Sequence, residues 1–141
     1  MILADSGFWI ALGNRRDRHH AAALAAAERW RREGFVTTWP VLTEVCHLLA
    51  ARVGVHQALE FIDGIAQGAA SVPPPPDDAL FRAAYLMRRY RDLPMDLADA
   101  SLVILAEQLE EGRILSTDLR DFGGYRWKNR EPFRNVLFPY S

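Results

Sequence analysis

Short apolar segments alternate with longer helix-forming segments along this chain, and this alternation limits its possible folds more than any other feature. The β-prone segments are residues 1–4, 35–38, 70–72, 113–117 and 136–138. The helix-forming segments are residues 6–13, 17–33, 40–52, 55–67, 77–90 and 98–110. Strands that alternate with helices form parallel sheets with helices packed on both faces. The sequence therefore predicts an α/β sandwich in which helix outweighs strand.

Apolar spacing also predicts which side chains form the core. In the segment 77–90, Leu80, Ala84 and Met87 recur at helical spacing and are expected on the buried face of a helix. Tryptophan side chains are mostly buried in folded proteins, so the core is expected to contain them too. The tryptophans are Trp9, Trp30, Trp39 and Trp127.

Length and composition exclude several classes of protein. The 141 residues fit one domain, predicted to span residues 1–141, because domains cluster near about 100 to 150 residues. Apolar residues make up 50% of the chain and charged residues 25%, which excludes disordered and collagen-like chains. Cys46 is the only cysteine, so no intrachain disulfide forms and a reducing compartment is expected. The longest uncharged run, residues 64–76, is too short for a membrane span, and the expected location is the cytoplasm.

Four acidic residues are predicted to meet at one edge of the sheet. Asp5 ends the first strand, and Asp118 follows the strand at residues 113–117. Glu44 and Asp99 lie in the first turns of two helices. Ligands of open parallel sheets bind outside the carboxyl ends of the strands, where the following helices begin. These four carboxylates are therefore the candidate functional residues.

The position of Glu44 indicates which chemistry this cluster can perform. It lies on the apolar stripe of its helix, between Val41 and Leu48, and no lysine or arginine lies one turn away on that face. A carboxylate in such a place needs a cation, and several carboxylates together either take up protons or bind a divalent cation. Oxygen ligands favour Mg²⁺ or Mn²⁺ over zinc. Metal-assisted hydrolysis of phosphodiesters is the reaction that such a site suits.

Several short fragments, whose order and spacing extend over nearly all of the chain, point to a known family. They are Ile2-Leu3-Ala4-Asp5-Ser6, Thr43-Glu44, Met95-Asp96-Leu97-Ala98-Asp99-Ala100, and Ser116-Thr117-Asp118 with Asp121-Phe122. Together they resemble the PIN domain, and most closely the VapC-like toxins of bacterial toxin–antitoxin pairs. The resemblance implies a PIN-like, Rossmann-like three-layer sandwich with a mostly parallel central sheet. It further implies an Mg²⁺- or Mn²⁺-dependent endoribonuclease with an RNA substrate, a cognate antitoxin protein, a homodimer and no membrane partner.

The resemblance also assigns roles to single residues. It implies that Asp5, Glu44, Asp99 and Asp118 form the catalytic acidic quartet, with Asp5, Asp99 and Asp118 as metal ligands, and Asp96 is a further catalytic candidate. The hydroxyl residues Ser6, Ser116 and Thr117 are expected to orient the carboxylates or water from behind. Two interpretations of Asp96 stay open. It lies one helical turn before Asp99 and close enough to share the site, but an aspartate followed three residues later by an acid is also an N-cap pattern.

Two other function classes also stay open. A PIN-fold protein can bind nucleic acid or a partner protein without cutting it. Phosphatase-like and receiver-like domains gather acids at strand ends as well, but they need a second acid beside the first-strand aspartate or a lysine after a late strand. Here Ser6 follows Asp5, and the only lysine, Lys128, follows no clear strand. The net charge of −1 favours no partner, although six cations in residues 113–141 beside an acidic centre suit a polyanion held at a metal.

Overall fold

The computed structural model describes residues 1–139. The strands are β1 (Ile2–Ala4), β2 (Phe35–Val36), β3 (Arg113–Leu115), β4 (Arg126–Trp127), β5 (Glu131–Pro132) and β6 (Arg134–Asn135). The helices are α1 (Ser6–Gly13), α2 (His20–Arg29), α3 (Trp39–Arg52), α4 (Val55–Gly64), α5 (Ala79–Arg89), α6 (Leu97–Leu109) and α7 (Leu119–Gly124). A π-helical turn, Ile65–Ala69, continues α4.

The central sheet has the strand order β2-β1-β3-β6, and all three strand pairs are parallel. Leu3 of β1 pairs with Val36 on one side and with Ile114 on the other, and all three side chains are fully buried. Parallel strands are apolar on both faces because helices cover both. The predicted α/β architecture, with a parallel central sheet flanked by helices, is confirmed. A separate antiparallel hairpin pairs β4 with β5.

The sheet order places the candidate site. Because β1 and β3 are adjacent and parallel, their carboxyl ends meet at the same edge of the sheet. Asp5 follows β1 there, and Ser116 to Asp118 follow β3. Four helices begin with a side-chain cap, which fixes where each chain segment turns. The caps are Asp5 for α1, Thr38 for α3, Asp96 for α6 and Asp118 for α7.

The second helix is shorter than its alanine-rich sequence predicted. It runs from His20 to Arg29 instead of covering residues 17–33. Asp17 Oδ1 accepts a hydrogen bond from the His19 N–H at 2.8 Å, which closes a turn ahead of the helix. At the other end, Gly34 adopts a φ of +75°, a left-handed conformation that ends the helical path.

The predictions for the last strand and for residues 70–72 were also wrong. The last strand is Arg134–Asn135 and not residues 136–138. Its pairing begins with the Arg134 N–H and ends with the Val136 N–H, which donate to the carbonyls of Gly112 and Ile114, both at 2.8 Å. Residues 70–72 form only an isolated bridge between Ser71 and Val36. The short helix α7 was not predicted, because its two glycines lower its helix propensity.

Two core predictions fail on the same side of the molecule. Helix α5 buries Ala83 and Leu86, whereas Leu80 is 76% exposed. Trp39, expected in the core, is 69% exposed at the start of α3. Burial depends on which helix face the neighbours cover, and apolar spacing does not specify that. No helix among residues 1–139 is long and apolar enough to cross a membrane.

Candidate active site

Asp5 lies in a buried polar network at the carboxyl end of β1. Only 6% of its surface is exposed. Its Oδ1 accepts a hydrogen bond from the Ser6 N–H at 2.7 Å, and its Oδ2 accepts one from Ser116 Oγ at 2.9 Å. Burial raises the pKa of Asp5 to about 6 despite these two hydrogen bonds, and the charges of Glu44 and Asp118 add to the rise.

Glu44 joins this network through Ser6. The Ser6 hydroxyl lies 2.5 Å from Glu44 Oε1 and 3.3 Å from Asp5 Oδ1. A hydroxyl has one proton, so Ser6 donates to the nearer acceptor, Glu44. Glu44 itself is half-buried on α3, as its position on the apolar stripe predicted. Ser6 therefore connects the first carboxylate of the site to the second.

Ser116 connects Asp5 to Asp118 in the same way. Its Oγ donates to Asp5 and accepts a hydrogen bond from the Asp118 N–H at 2.9 Å. Asp118 Oδ1 in turn accepts from the Asp121 N–H at 3.0 Å and so caps α7. Asn135 of β6 holds the end of β3, because its Nδ2 donates to the Ser116 carbonyl at 2.7 Å. The spacing between Asp5 and Asp118 is thus fixed by the sheet and by one hydroxyl.

Asp96 and Asp99 form a reciprocal cap at the start of α6. Asp96 Oδ1 accepts from the Asp99 N–H at 2.8 Å, and Asp99 Oδ2 accepts from the Asp96 N–H at 3.3 Å. The N-cap interpretation of Asp96 is therefore confirmed, and its side chain is exposed. A further bond reaches Asp99 Oδ2 from the Tyr125 hydroxyl at 3.2 Å.

Asp99 has a more strongly raised pKa than Asp5. Burial raises the pKa of Asp99 to about 8, and the charges of Asp96 and Asp5 add to the rise. Burial and the neighbouring Asp118 also raise the pKa of Asp121. None of the ion pairs among residues 1–139 involves these carboxylates.

The donor set fits a divalent cation. All the candidate metal-ligating atoms are carboxylate oxygens, and a bound cation would reduce the repulsion between these carboxylates. Within the described part of the chain, Asp99 Oδ1, Glu44 Oε2 and Asp118 Oδ2 accept no hydrogen bond. No three acidic, histidine or cysteine side chains of residues 1–139 are already arranged around a common metal position. Mg²⁺ commonly takes only one or two carboxylates together with water and substrate phosphate, and Asp5 and Asp99 can supply those two.

The structure brings most of the predicted residues together. Asp5, Glu44 and Asp118 are linked through Ser6 and Ser116, which hold carboxylates from behind as expected. Asp5 is close enough to Asp99 for its charge to raise the pKa of Asp99, and Asp96 is hydrogen-bonded to Asp99. The Thr117 hydroxyl makes no hydrogen bond to a carboxylate among residues 1–139, and Thr117 packs against Gly7 instead.

Three residues of this region were missed by the sequence analysis as parts of the site. Asn135 acts on Ser116 from a neighbouring strand, and Tyr125 acts on Asp99 from the end of α7. Asp121 adds a further acid beside Asp118 and was visible only as part of the fragment Asp121-Phe122. No spacing rule connects Tyr125 or Asn135 to their partners, because those contacts are tertiary.

The chain combines an α/β sandwich and its parallel sheet with a cluster of acids at the carboxyl ends of the strands. The sequence profile of the PIN domain matches residues 2–126, and the chain is a member of the PIN-domain family. Within that family it is VapC-like. It is 27% identical over 125 residues to Ribonuclease VapC26 of Mycobacterium tuberculosis (strain ATCC 25618 / H37Rv), covering 89% of this chain and 92% of that protein.

Two solved structures share the fold. VapC20 of Mycobacterium tuberculosis, described as a sarcin-ricin loop cleaving toxin, superposes with a TM-score of 0.74 at 22% sequence identity, covering 86% of this chain and 92% of VapC20. VapBC2 from Rickettsia felis, bound to a DNA fragment from their promoter, superposes with a TM-score of 0.67 at 12% identity, covering 96% of this chain and 98% of that chain. At these identities, the superpositions show a shared fold and do not show a shared activity.

Proposed function

We propose that this protein is a divalent-metal-dependent endoribonuclease that hydrolyses RNA phosphodiester bonds and is the toxin of a toxin–antitoxin pair. The observation that carries the proposal is the set of acids at one sheet edge, held by Ser6 and Ser116 and paired with no cation in residues 1–139. The ribonuclease VapC26 and the toxin VapC20 support RNA as the substrate. VapBC2, with its promoter DNA, supports a cognate antitoxin as partner.

Each acid has a separate task in this proposal. Asp5 and Asp99 hold Mg²⁺ or Mn²⁺, and Asp118 completes the site from the start of α7. When bound, the cation lowers the pKa of a coordinated water and offsets negative charge on the phosphate. Glu44 has its Oε1 fixed by Ser6, so its Oε2 is free to accept a proton from the attacking water. Asp96 keeps α6 in place and adds negative charge beside Asp99.

Basic side chains beside the acids suit an RNA backbone. Arg120 is exposed on α7, and its charge opposes the rise in the pKa of Asp121. Arg126 is half-buried just after α7 and donates to the Gly123 and Tyr125 carbonyls. Neither arginine is in an ion pair with an acid of residues 1–139. Cations that flank a metal site can hold the phosphates on both sides of the cleaved bond.

The proposed function is tested by cleavage of total cellular RNA and of intact ribosomes by purified, antitoxin-free protein. Discrete fragments are expected with Mg²⁺ or Mn²⁺ and none with EDTA. Asp99→Asn is expected to lower the rate by at least about 100-fold, because it removes a ligand rather than a supporting group, whose loss typically costs about 10- to 100-fold. Asp63→Asn, an exposed acid on α4, is the matched control and should cleave like the wild-type protein.

Four outcomes would contradict the proposed metal-dependent nuclease. Cleavage that persists in EDTA, or in Asp99→Asn at the wild-type rate, would contradict a metal site built on these acids. Folded protein that binds RNA or a partner without cutting any substrate would favour a PIN-fold binding module instead. Release of phosphate from small phosphomonoesters would favour phosphatase-like chemistry.

We further propose that the protein forms a homodimer through an exposed apolar groove. Trp39, Leu80 and Leu97 line this groove together with three prolines of the segment before α5. Phe81, the neighbour of Leu80, is 85% exposed. Contiguous apolar surface of this kind is uncommon on monomers and marks an interaction site. The resemblance to dimeric VapC-like toxins supports a second copy of the chain as the occupant.

Phe81→Glu is expected to convert the dimer to a monomer, because it places a charge next to Leu80 at the edge of the apolar groove. Light scattering coupled to gel filtration should report about twice 16.0 kDa for the wild-type protein and 16.0 kDa for Phe81→Glu. Leu59→Glu, at a 59% exposed position on α4 outside the groove, is the control and should stay dimeric. A wild-type monomer, or a dimeric Phe81→Glu protein, contradicts this interface.

A further inference from the structure

Tyr125 is a fully buried tyrosine immediately after α7 for which the sequence analysis predicted no role. Its ring packs edge-to-face against Tyr90 and Phe122, with ring centroids 5.2 and 5.1 Å away. A ring packed on two sides has little freedom, so its hydroxyl is held at a fixed point. A buried tyrosine hydroxyl needs a hydrogen-bond partner, and the partners of Tyr125 lie in the candidate site.

The Tyr125 hydroxyl faces two acceptors. It lies 3.0 Å from the Leu93 carbonyl and 3.2 Å from Asp99 Oδ2, and because these distances are nearly equal its single proton is shared between the two acceptors. The hydroxyl therefore connects the end of α7 both to the loop that leads into α6 and to the carboxylate in the first turn of α6. The same Asp99 oxygen accepts from the Asp96 N–H at 3.3 Å. Both bonds fall on Oδ2, and Oδ1 accepts none from residues 1–139.

We propose that Tyr125 is a positioning residue that holds the Asp99 carboxylate by Oδ2 and keeps Oδ1 free for the divalent cation. This inference rests on the proposed function. An aspartate side chain in the first turn of a helix can rotate, and Asp99 has acidic neighbours in Asp96 and Asp5 that repel it. A donor on a rigid ring opposes that repulsion. Groups behind a metal ligand orient it and tune its affinity for the metal in this way.

The competing explanation is that Tyr125 only anchors the loop through the Leu93 carbonyl. The two explanations differ in what the hydroxyl changes. A loop anchor affects thermal stability and leaves metal affinity unchanged in protein that remains folded. A positioning residue affects metal affinity and turnover even where the fold is intact.

Tyr125→Phe separates them, because phenylalanine fills the same space and removes only the hydroxyl. The matched control is Tyr90→Phe in the same aromatic cluster. The Tyr90 hydroxyl accepts from the Arg126 N–H at 3.1 Å and forms no hydrogen bond with a carboxylate of residues 1–139. Mn²⁺ affinity is measured by calorimetry on RNA-free protein, kcat and KM on a cleaved RNA at saturating Mn²⁺, and folding by thermal unfolding.

Tyr125→Phe is expected to bind Mn²⁺ about 10- to 100-fold more weakly and to lose kcat at a KM within about twofold of the wild-type value. Tyr90→Phe should match the wild-type protein in both measurements. Mn²⁺ affinity and kcat unchanged in folded Tyr125→Phe would overturn the assignment while leaving the nuclease intact, as would an equal loss in Tyr90→Phe. A wild-type protein that neither binds Mn²⁺ nor cleaves RNA rejects the proposed function itself, and the role of Tyr125 with it.

Discussion

Asp5→Asn is expected to lower metal-dependent RNA cleavage by at least about 100-fold and, at pH 7.5 without metal, to raise the free energy of unfolding by about 1 to 3 kcal/mol. Activity falls because a neutral amide replaces a charged metal ligand. Stability rises because the buried Asp5 carboxylate is costly when ionised, as its pKa of about 6 shows. Asparagine keeps the local bonds, since its oxygen can accept from Ser6 and its amide can donate to Ser116 Oγ.

The stability gain depends on pH in a defined direction. The native pKa of Asp5 is raised from 3.8, so between about pH 4 and pH 6 the native state binds more protons than the unfolded state. Wild-type stability therefore decreases as the pH rises through this window. The advantage of Asp5→Asn should be absent below about pH 4, grow across the window and level off above it. The raised pKa of Asp99, about 8, should extend the decrease in wild-type stability to higher pH.

Urea unfolding at a series of pH values, with and without Mg²⁺, measures both effects. Mg²⁺ should stabilise the wild-type protein, because a ligand that binds only the native state raises its stability, and should leave Asp5→Asn unchanged. Asp63→Asn is again the exposed control and should show neither effect. A lower stability of Asp5→Asn at pH 7.5 would contradict the buried-charge account, and wild-type cleavage by this variant would remove Asp5 from the active site.

Gly7→Ala is expected to destabilise the fold by about 1 to 3 kcal/mol and to reduce cleavage by at least about tenfold. A Cβ at this position in α1 would lie 1.9 Å from Thr117 Oγ1, 3.1 Å from Thr117 Cβ and 3.3 Å from Thr117 Cγ2. A rotation about the Thr117 Cα–Cβ bond moves Oγ1 and Cγ2 but leaves the 3.1 Å contact with Thr117 Cβ. The start of α1 and the segment after β3 must therefore move apart, which lengthens the 2.9 Å bond between Ser116 Oγ and Asp5.

Two further variants make the Gly7 prediction specific. Gly64→Ala, also within a helix but with no atom within 4 Å of the new Cβ, should be stabilised by about 0.4 to 1 kcal/mol. The double variant Gly7→Ala/Thr117→Ala removes Oγ1 and Cγ2, keeps the 3.1 Å contact with the Cβ of residue 117, and should recover part of the activity and stability. Stability comes from denaturant unfolding and activity from single-turnover cleavage. A Gly7→Ala protein with wild-type values would show that this contact does not set the spacing of the acids.

Much of the site could be predicted because its residues also perform local tasks. Asp5, Asp96 and Asp118 are N-caps, and capping leaves a local signal where a strand or loop passes into a helix. Glu44 was conspicuous as a charge on an apolar stripe. Parallel strand order then accounts for their proximity, since the carboxyl ends of adjacent parallel strands share an edge.

Other features had no local signal. The short helix α7 contains two glycines and depends on the Asp118 cap, so its propensity did not reveal it. The Lys128–Asn129 turn between β4 and β5 uses left-handed backbone at both residues, with φ values of 52° and 62°. The exposure of Trp39 and Leu80 reflects which helix faces lack a neighbour within the chain.

The sequence by itself determined the alternation of strands and helices, the acids at strand and helix ends and the family, because these properties depend on neighbours a few residues apart. Only the tertiary structure decided that Ser6 joins Asp5 to Glu44, that Ser116 joins Asp5 to Asp118 and that the Tyr125 hydroxyl lies 3.2 Å from Asp99 Oδ2. The physical reason is the separation along the sequence over which each interaction acts. Propensity and capping act within a turn of backbone, whereas a hydroxyl reaches a carboxylate 26, 38 or 111 residues away only after the chain has packed.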